Sequence, residues 1–334
     1  MKILVVAGSA IFLLATLIYA ILVRGVGMQT SIPHPQTLKQ KDGEITFTWQ
    51  IKKEMPTFRT EIAAAVLDDK IYVIGGMDGF AGVSGAVEIY DSSTDSWTTG
   101  PQLPQGRHHA AVASVGDALY VVGGYSDFAG TPVDTVYRLI TGKETWEEMA
   151  KLPHPRGALA VGVIAGKIYA VGGVGMNGLT NELTQYDSTS DAWTTKKPAP
   201  TKRDHLAVAA RERLLYVGGG RELGLDKNLS TLEMYDPATD TWTQRSDMPT
   251  ARGGVAGTFF NGMFVVVGGE QPNGTFDTVE AFDPSSDSWI TLPNLPTARH
   301  GLAAVNMENV LYVIGGGKRP GLSVSGNNEA LLVQ

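Results

Sequence analysis

Glu61, His109 and His205 each stand two residues after an arginine, namely Arg59, Arg107 and Arg203, and so share one register. Imidazole and carboxylate together can ligate a divalent metal such as zinc or pass a proton. Thr60, His108, Asp204 and His300 sit beside them at equivalent positions. A second group follows glycine pairs: Tyr125, Arg221 and Glu222 bring a phenol, a guanidinium that can grip a carboxylate through paired hydrogen bonds, and a further proton-transfer carboxylate. These residues come from separate stretches of the chain, and spacing alone does not require them to converge. No catalytic residue, metal ligand or cofactor is therefore assigned from sequence.

What must position them is a repeat. Glycine doublets begin at Gly75, Gly123, Gly172, Gly218, Gly268 and Gly315, in steps of 48, 49, 46, 50 and 47. All 6 tryptophans, Trp49, Trp97, Trp146, Trp193, Trp242 and Trp289, keep the same beat. An arginine follows each, at Arg59, Arg107, Arg156, Arg203, Arg252 and Arg299. Three residue types in one phase define an internal repeat, which must be read before any domain is drawn. Each unit holds short runs rich in β-branched and aromatic residues, such as Ile71–Ile74 and Val87–Tyr90, separated by turn residues, and so reads as antiparallel strands. The Asp91–Asp95, Asp187–Asp191, Asp236–Asp240 and Asp283–Asp287 segments suit hairpin turns. As calcium loops they lack a dense set of oxygen ligands.

A glycine pair closing the second strand, then Glu-x-Tyr-Asp, then a tryptophan and an arginine, resembles the Kelch repeat family. Glu88-Ile89-Tyr90-Asp91 with Trp97 and Glu233-Met234-Tyr235-Asp236 with Trp242 carry the likeness best. The second unit lacks the aspartate after Tyr137-Arg138-Leu139, the fifth has Phe282 for tyrosine, and the sixth lacks the aromatic. The resemblance implies an all-β fold over residues 45–334: a six-bladed β-propeller of four-stranded antiparallel blades. The last unit stops after Ala330–Val333 without a tryptophan strand, whereas Ile45–Ile51 supplies one at the start, so the two are expected to share the closing blade.

Strand alternation would gather the arginines and the loops after the glycine pairs at one mouth of the channel. In Kelch proteins this face resembles known partner-binding surfaces. Arg59, Arg107, Arg156, Arg203, Arg252 and Arg299, with Glu61, His109, His205, Tyr125, Arg221 and Glu222, are the expected ligand-binding set, and an acidic protein, peptide or glycan is the expected partner. The arginines could instead lock neighbouring blades. Phe80, Tyr125 and Phe128 could act as contact anchors or fold down as lids. Enzymatic Kelch propellers offer exclusions. Copper radical oxidases need a tyrosine cross-linked to cysteine, and this chain has no cysteine. Plant specifier proteins carry Glu-x-x-x-Asp-x-x-x-His, where Glu222 and Asp226 fit but Ser230 replaces the histidine. Exported sialic acid mutarotases are likewise six-bladed, so a sugar acid mutarotase is the alternative reading, by fold analogy.

The net charge of −7 excludes general nucleic-acid binding, which needs a basic surface. Residues 1–23 contain the apolar run Ile3–Val23, long enough as a helix to cross one bilayer core, and residues 24–44 read as a polar tether. The run is expected to hold the propeller outside a membrane; cleavage as a signal peptide, leaving a secreted or periplasmic form, is the rival. Fractionation of the full-length chain with protease treatment of intact cells separates the two. A membrane-bound, protease-accessible protein is expected, a soluble form starting near Met28 would mean cleavage, and protection from protease would overturn the external location.

Overall fold

A computed structural model describes residues 36–40 and 43–334; the hydrophobic segment 1–23 lies outside the described residues, as does most of the segment read as a tether. Among the described residues there are strands, turns and bends, and no helix long and apolar enough to cross a membrane. Paired backbone begins ahead of the expected start at Ile45: Gln36–Gln40 runs antiparallel to Gly43–Lys52.

The repeats fold as antiparallel sheets. The first comprises Ala63–Leu67, Lys70–Ile74, Val87–Asp91 and Ser96–Thr99 in that order. Four more follow the same pattern, opening with Ala111–Val115, Ala160–Ile164, Ala207–Arg211 and Ala256–Phe260. In the last, Ala303–Met307, Val310–Ile314 and Asn328–Val333 are joined by Gly43–Lys52, with Trp49 opposite Leu331. The core lies between successive sheets. Ile168, Ala170 and Tyr186 of the third pack on Tyr120, Val122 and Val136 of the second, and Ile71, Val73 and Tyr90 of the first pack on Tyr312, Ile314 and Ala330 of the last. Covered on both sides, inner strands lose the alternation of a half-exposed strand; Ala118–Val122 is buried throughout.

Two polar devices join neighbours. Every tryptophan indole N–H donates to a carbonyl of another unit: Trp97 to Lys53, Trp146 to Pro101, Trp193 to Ala150 and Trp242 to Lys197 at 2.8 Å, Trp289 to Ser246 at 2.7 Å, and Trp49 to Pro293 at 2.9 Å. Third-strand tyrosines brace the hairpins, Tyr90 on Asp95, Tyr186 on Asp191 and Tyr235 on Asp240. The same aspartates accept the backbone N–H of Lys53, Ala150 and Lys197 from the preceding unit.

The arginines form the second device, and here the expected placement is corrected. Arg59, Arg107, Arg156, Arg203, Arg252 and Arg299 are 0 or 1 % exposed and do not line the mouth. Each guanidinium reaches back into its own sheet. Arg203 donates to the carbonyls of Gly219 at 2.9 Å and Thr231 at 2.8 Å and to Glu233 at 2.7 Å, and Arg252 makes the matching contacts with Gly268, Thr278 and Glu280. Arg59 pairs with Glu88 and Arg299 with Glu329, both at 2.6 Å. Where the third strand lacks that glutamate, Arg156 uses the Thr184 hydroxyl at 2.8 Å, and Arg107 uses that of Thr135 at 2.6 Å and lies over the Tyr137 ring. Burial lowers the Arg156 pKa to about 10, with Glu182 opposing the shift, which leaves it charged at neutral pH.

The arginine backbone ties to the preceding glycine pair. Gly76 donates to the carbonyl of Arg107, Gly124 to Arg156, Gly173 to Arg203, Gly220 to Arg252, Gly269 to Arg299 and Gly316 to Arg59, at 2.7 to 2.9 Å. Gly76 takes φ +96°, and a Cβ there would meet the Thr60 carbonyl at 2.6 Å, which is why glycine stands at this beat. In the fourth repeat the residues in this role are Gly219 and Gly220, one step beyond the pair counted from sequence at Gly218.

Removing one partner of a buried, hydrogen-bonded ion pair strands the other charge, at a cost of about 3 to 5 kcal/mol. Glu233→Ala should therefore lower the denaturant midpoint strongly, whereas Glu212→Ala, at an exposed ion pair, should leave it nearly unchanged.

Candidate functional site at the channel mouth

Two residues beyond each arginine the chain turns through left-handed backbone: Glu61, His109 and His205 at φ 52°, Ala158 at 53°, Gly254 at 71° and Gly301 at 57°. Non-glycine residues adopt this conformation at a cost of about 1 to 3 kcal/mol, so something must over-determine it. Here it is a chain of backbone hydrogen bonds: His109 N–H donates to the Glu61 carbonyl, Ala158 to His109, His205 to Ala158, Gly254 to His205 and Gly301 to Gly254, at 2.9 to 3.1 Å. These residues line a small cavity of about 80 Å³. Convergence, which spacing could not require, is thus imposed by the backbone.

A second cavity of about 330 Å³ has Thr60, Glu61, His108, His109, Arg221, Glu270 and His300 as polar lining, with Met77, Phe128, Leu225 and Leu322 as apolar lining. Short bridges place the polar groups. The residue after an arginine pairs with the residue after a glycine pair, Thr60 with Met77, His108 with Tyr125, Asp204 with Arg221 and His300 with Gly317, while Gly253 pairs with Glu270.

Glu61 is the hub. Its Oε2 lies 3.1 Å from His109 Nε2 and its Oε1 3.3 Å from His300 Nδ1. His300 Nδ1 is also 3.5 Å from Glu270 Oε1. Arg221 donates to Glu270 at 2.7 Å and to His205 Nε2 at 2.9 Å, with its Nε 3.4 Å from Asp204. His205 Nδ1 hydrogen-bonds Asp204, and the rings of His109 and His205 meet edge-on with centroids 4.7 Å apart.

These contacts pull the titrations apart. Burial alone would raise the Glu61 pKa, but the facing His109, His300 and His205 hold it well below the usual carboxylate range. For His300, burial acts downward, but the contacts with Glu61 and Glu270 win and raise it. Burial depresses His109 to about 3 against the pull of Glu61, with His205 and His108 adding to the fall. Burial also lowers His108.

Of the ligand-binding set expected from sequence, Glu61, His109, His205 and Arg221 come together, and Tyr125 folds down against His108 and His109, each 5.3 Å between centroids. Glu222 is exposed and absent from the lining of either cavity. Phe128 stays exposed at the rim, and Phe80 is 96 % exposed. Asp204, Glu270 and His300 belong to the site but were not in that set. The available signal was the phase of two beats together, since the positions after the arginine and after the glycine pair bridge one another.

A family model for the Attractin/LZTR1 β-propeller matches residues 71–322. Among solved structures, that of YjhT aligns at a TM-score of 0.71 with 17 % identity, covering 85 % of this chain and 99 % of YjhT, a likeness of fold. No curated protein matches the sequence.

The depressed histidine has a measurable consequence. Between about pH 6.5 and 4.5 an unfolded His109 takes up a proton that the folded one refuses, so the unfolded state binds more protons and stability falls with pH. In that window the gain from His300, whose folded pKa is raised, is already fully present, and Glu61, whose folded pKa is depressed, loses its gain only at lower pH. His109→Gln should flatten the loss of stability from pH 7 to 4.5 in denaturant titrations, leaving the share due to His108. An unchanged slope would show that His109 titrates normally.

Proposed function

This chain belongs to the Attractin/LZTR1 β-propeller family, and we propose that it is a six-bladed, sugar-binding propeller whose mouth cavity accepts one sugar unit of a glycan outside the membrane to which residues 1–23 attach it. Six blades are supported by the cyclic run of glycine-to-arginine hydrogen bonds, which returns from Gly316 to Arg59. Closure by the N-terminal strand is supported by the pairing of Gly43–Lys52 with Asn328–Val333.

The observation that carries the ligand reading is the cavity of about 330 Å³ with a hydrogen-bonding floor and an apolar wall. Ligand sites combine such walls with a few placed polar groups. Glu61 and Glu270 offer acceptors to hydroxyls, His300 and Arg221 offer donors, and Phe128 and Leu322 suit the C–H face of a sugar ring. Selection for acidity is less well supported than the sequence suggested. The six repeat arginines are buried, and Arg221 and His300 already face Asp204, Glu270 and Glu61.

A second reading, mutarotation, is favoured by Glu61 and His300, a carboxylate and an imidazole 3.3 Å apart in the lining of one cavity, the group types that pass protons as base and acid. Glu61 would take the anomeric hydroxyl proton while His300 gives one to the ring oxygen; the ring opens, and closure on the other face returns both protons. NMR of the full-length chain against a panel of neutral and acidic sugars, with line shapes for binding and anomer exchange for turnover, tests both. A saturable sugar ligand whose affinity falls at least tenfold in Glu61→Gln is expected. A panel without any binder would overturn the sugar reading, and binding without faster exchange would remove the mutarotase.

A further inference from the structure

We propose that Glu61, His109 and His205 form a binding site for a divalent cation of the zinc class at the floor of the mouth. The site stands whether or not the cavity above it takes a sugar. One oxygen or nitrogen from each of the three residues lies within 4.8 Å of the others, and all three side chains are held by the same left-handed chain of backbone hydrogen bonds.

The hydrogen-bond chain behind His109 supplies an independent argument. His108 Nε2 lies 2.8 Å from the carbonyl of Asp127, which only accepts, so Nε2 carries the proton. In a neutral His108 the other nitrogen then accepts, and it faces His109 Nδ1 at 2.6 Å, so His109 Nδ1 donates. That leaves His109 Nε2 as a bare lone pair, 3.1 Å from the Glu61 carboxylate. Two acceptors in such contact need a proton or a metal ion between them. Their separation is close to the edge of a tetrahedron about zinc, roughly 3.3 Å for bonds of about 2.0 Å.

His205 completes the set in the way metal-bound histidines are usually oriented. Its Nδ1 donates to the Asp204 carboxylate, fixing the tautomer that leaves Nε2 unprotonated. Arg221 now donates to Nε2, and a metal would replace that one donor while Arg221 keeps Glu270. Around the site Glu61, Asp204 and Glu270 face Arg221 and His300, a balance that accommodates added positive charge. The neighbouring triad of Glu61, Glu270 and His300 is the weaker site, because it offers one imidazole where the first offers two.

Isothermal titration of Zn²⁺ into the full-length chain, made without an affinity tag and stripped with chelator, tests this. One equivalent should bind, with affinity falling at least tenfold in Glu61→Gln, His109→Gln and His205→Gln and about tenfold or more in Asp204→Asn, which loses the orienting carboxylate. His154→Gln, at an exposed histidine beside Glu182, should bind as the wild type does. Co²⁺ should give the visible absorption of a tetrahedral centre, lost in His205→Gln, which carries the test if the His109 variant does not fold. No binding at one equivalent, or binding indifferent to His109 and His205, overturns the site. Zinc without a sugar, or a sugar without zinc, separates this inference from the sugar reading.

Discussion

The buried arginine at the start of each repeat is the constraint on which the rest depends. A guanidinium presents five donors in a rigid fork, enough to satisfy carbonyls of its own glycine pair and of the strand entry together with a glutamate on the third strand. A lysine has neither the reach nor the planarity to bind three acceptors in one plane. Because the arginine's own carbonyl is taken by the preceding glycine pair, one residue fixes strand order inside its sheet and the spacing to the adjacent sheet. A charge buried in this way is stabilising only while every acceptor is present, which makes the glycine–arginine–glutamate set one unit.

Two residues downstream, the same constraint becomes functional. With the arginine pinned, the chain must reverse within a few residues to enter the first strand, and the left-handed turn at Glu61, His109 and His205 does this. The strain is held by backbone hydrogen bonds between neighbouring repeats, so the side chains on the turn are presented by a rigid scaffold and not by a mobile loop. Residues two repeats apart in sequence thereby meet, as His109 and His205 do.

How much of this was legible follows from what a period can encode. Phase located the strands, the tryptophan beat and the arginines, because each recurs once per repeat. Phase did not say which way a side chain points. The arginines were therefore placed at the rim, although the glutamates that bury them, Glu88, Glu233, Glu280 and Glu329, stood in the Glu-x-Tyr-Asp motif and at its counterparts in the last two repeats. The shared register of Glu61, His109 and His205 was visible, but their convergence was not, since it depends on φ values that histidine and glutamate seldom adopt. Arg221 was legible as a residue following a glycine pair, yet its pairing with Glu270 needs two repeats to be set side by side.

The asymmetry of the mouth is carried as much by what is missing as by what is present. Equivalent turn positions hold Glu61, His109 and His205 in three repeats but Ala158, Gly254 and Gly301 in the others. At Gly301 a Cβ would lie 2.5 Å from Glu61 Oε1 and from Thr60 Oγ1, and at Gly254 it would press on Glu270 and His300 at 3.2 and 3.3 Å. The left-handed turn would tolerate a larger residue at both places, as it does at His109. Backbone conformation therefore does not explain the glycines; the space that Glu61, Glu270 and His300 occupy does. A series of near-identical sheets thus builds a one-sided site by emptying some of its equivalent positions, so that the charged groups of the others can lean across and meet.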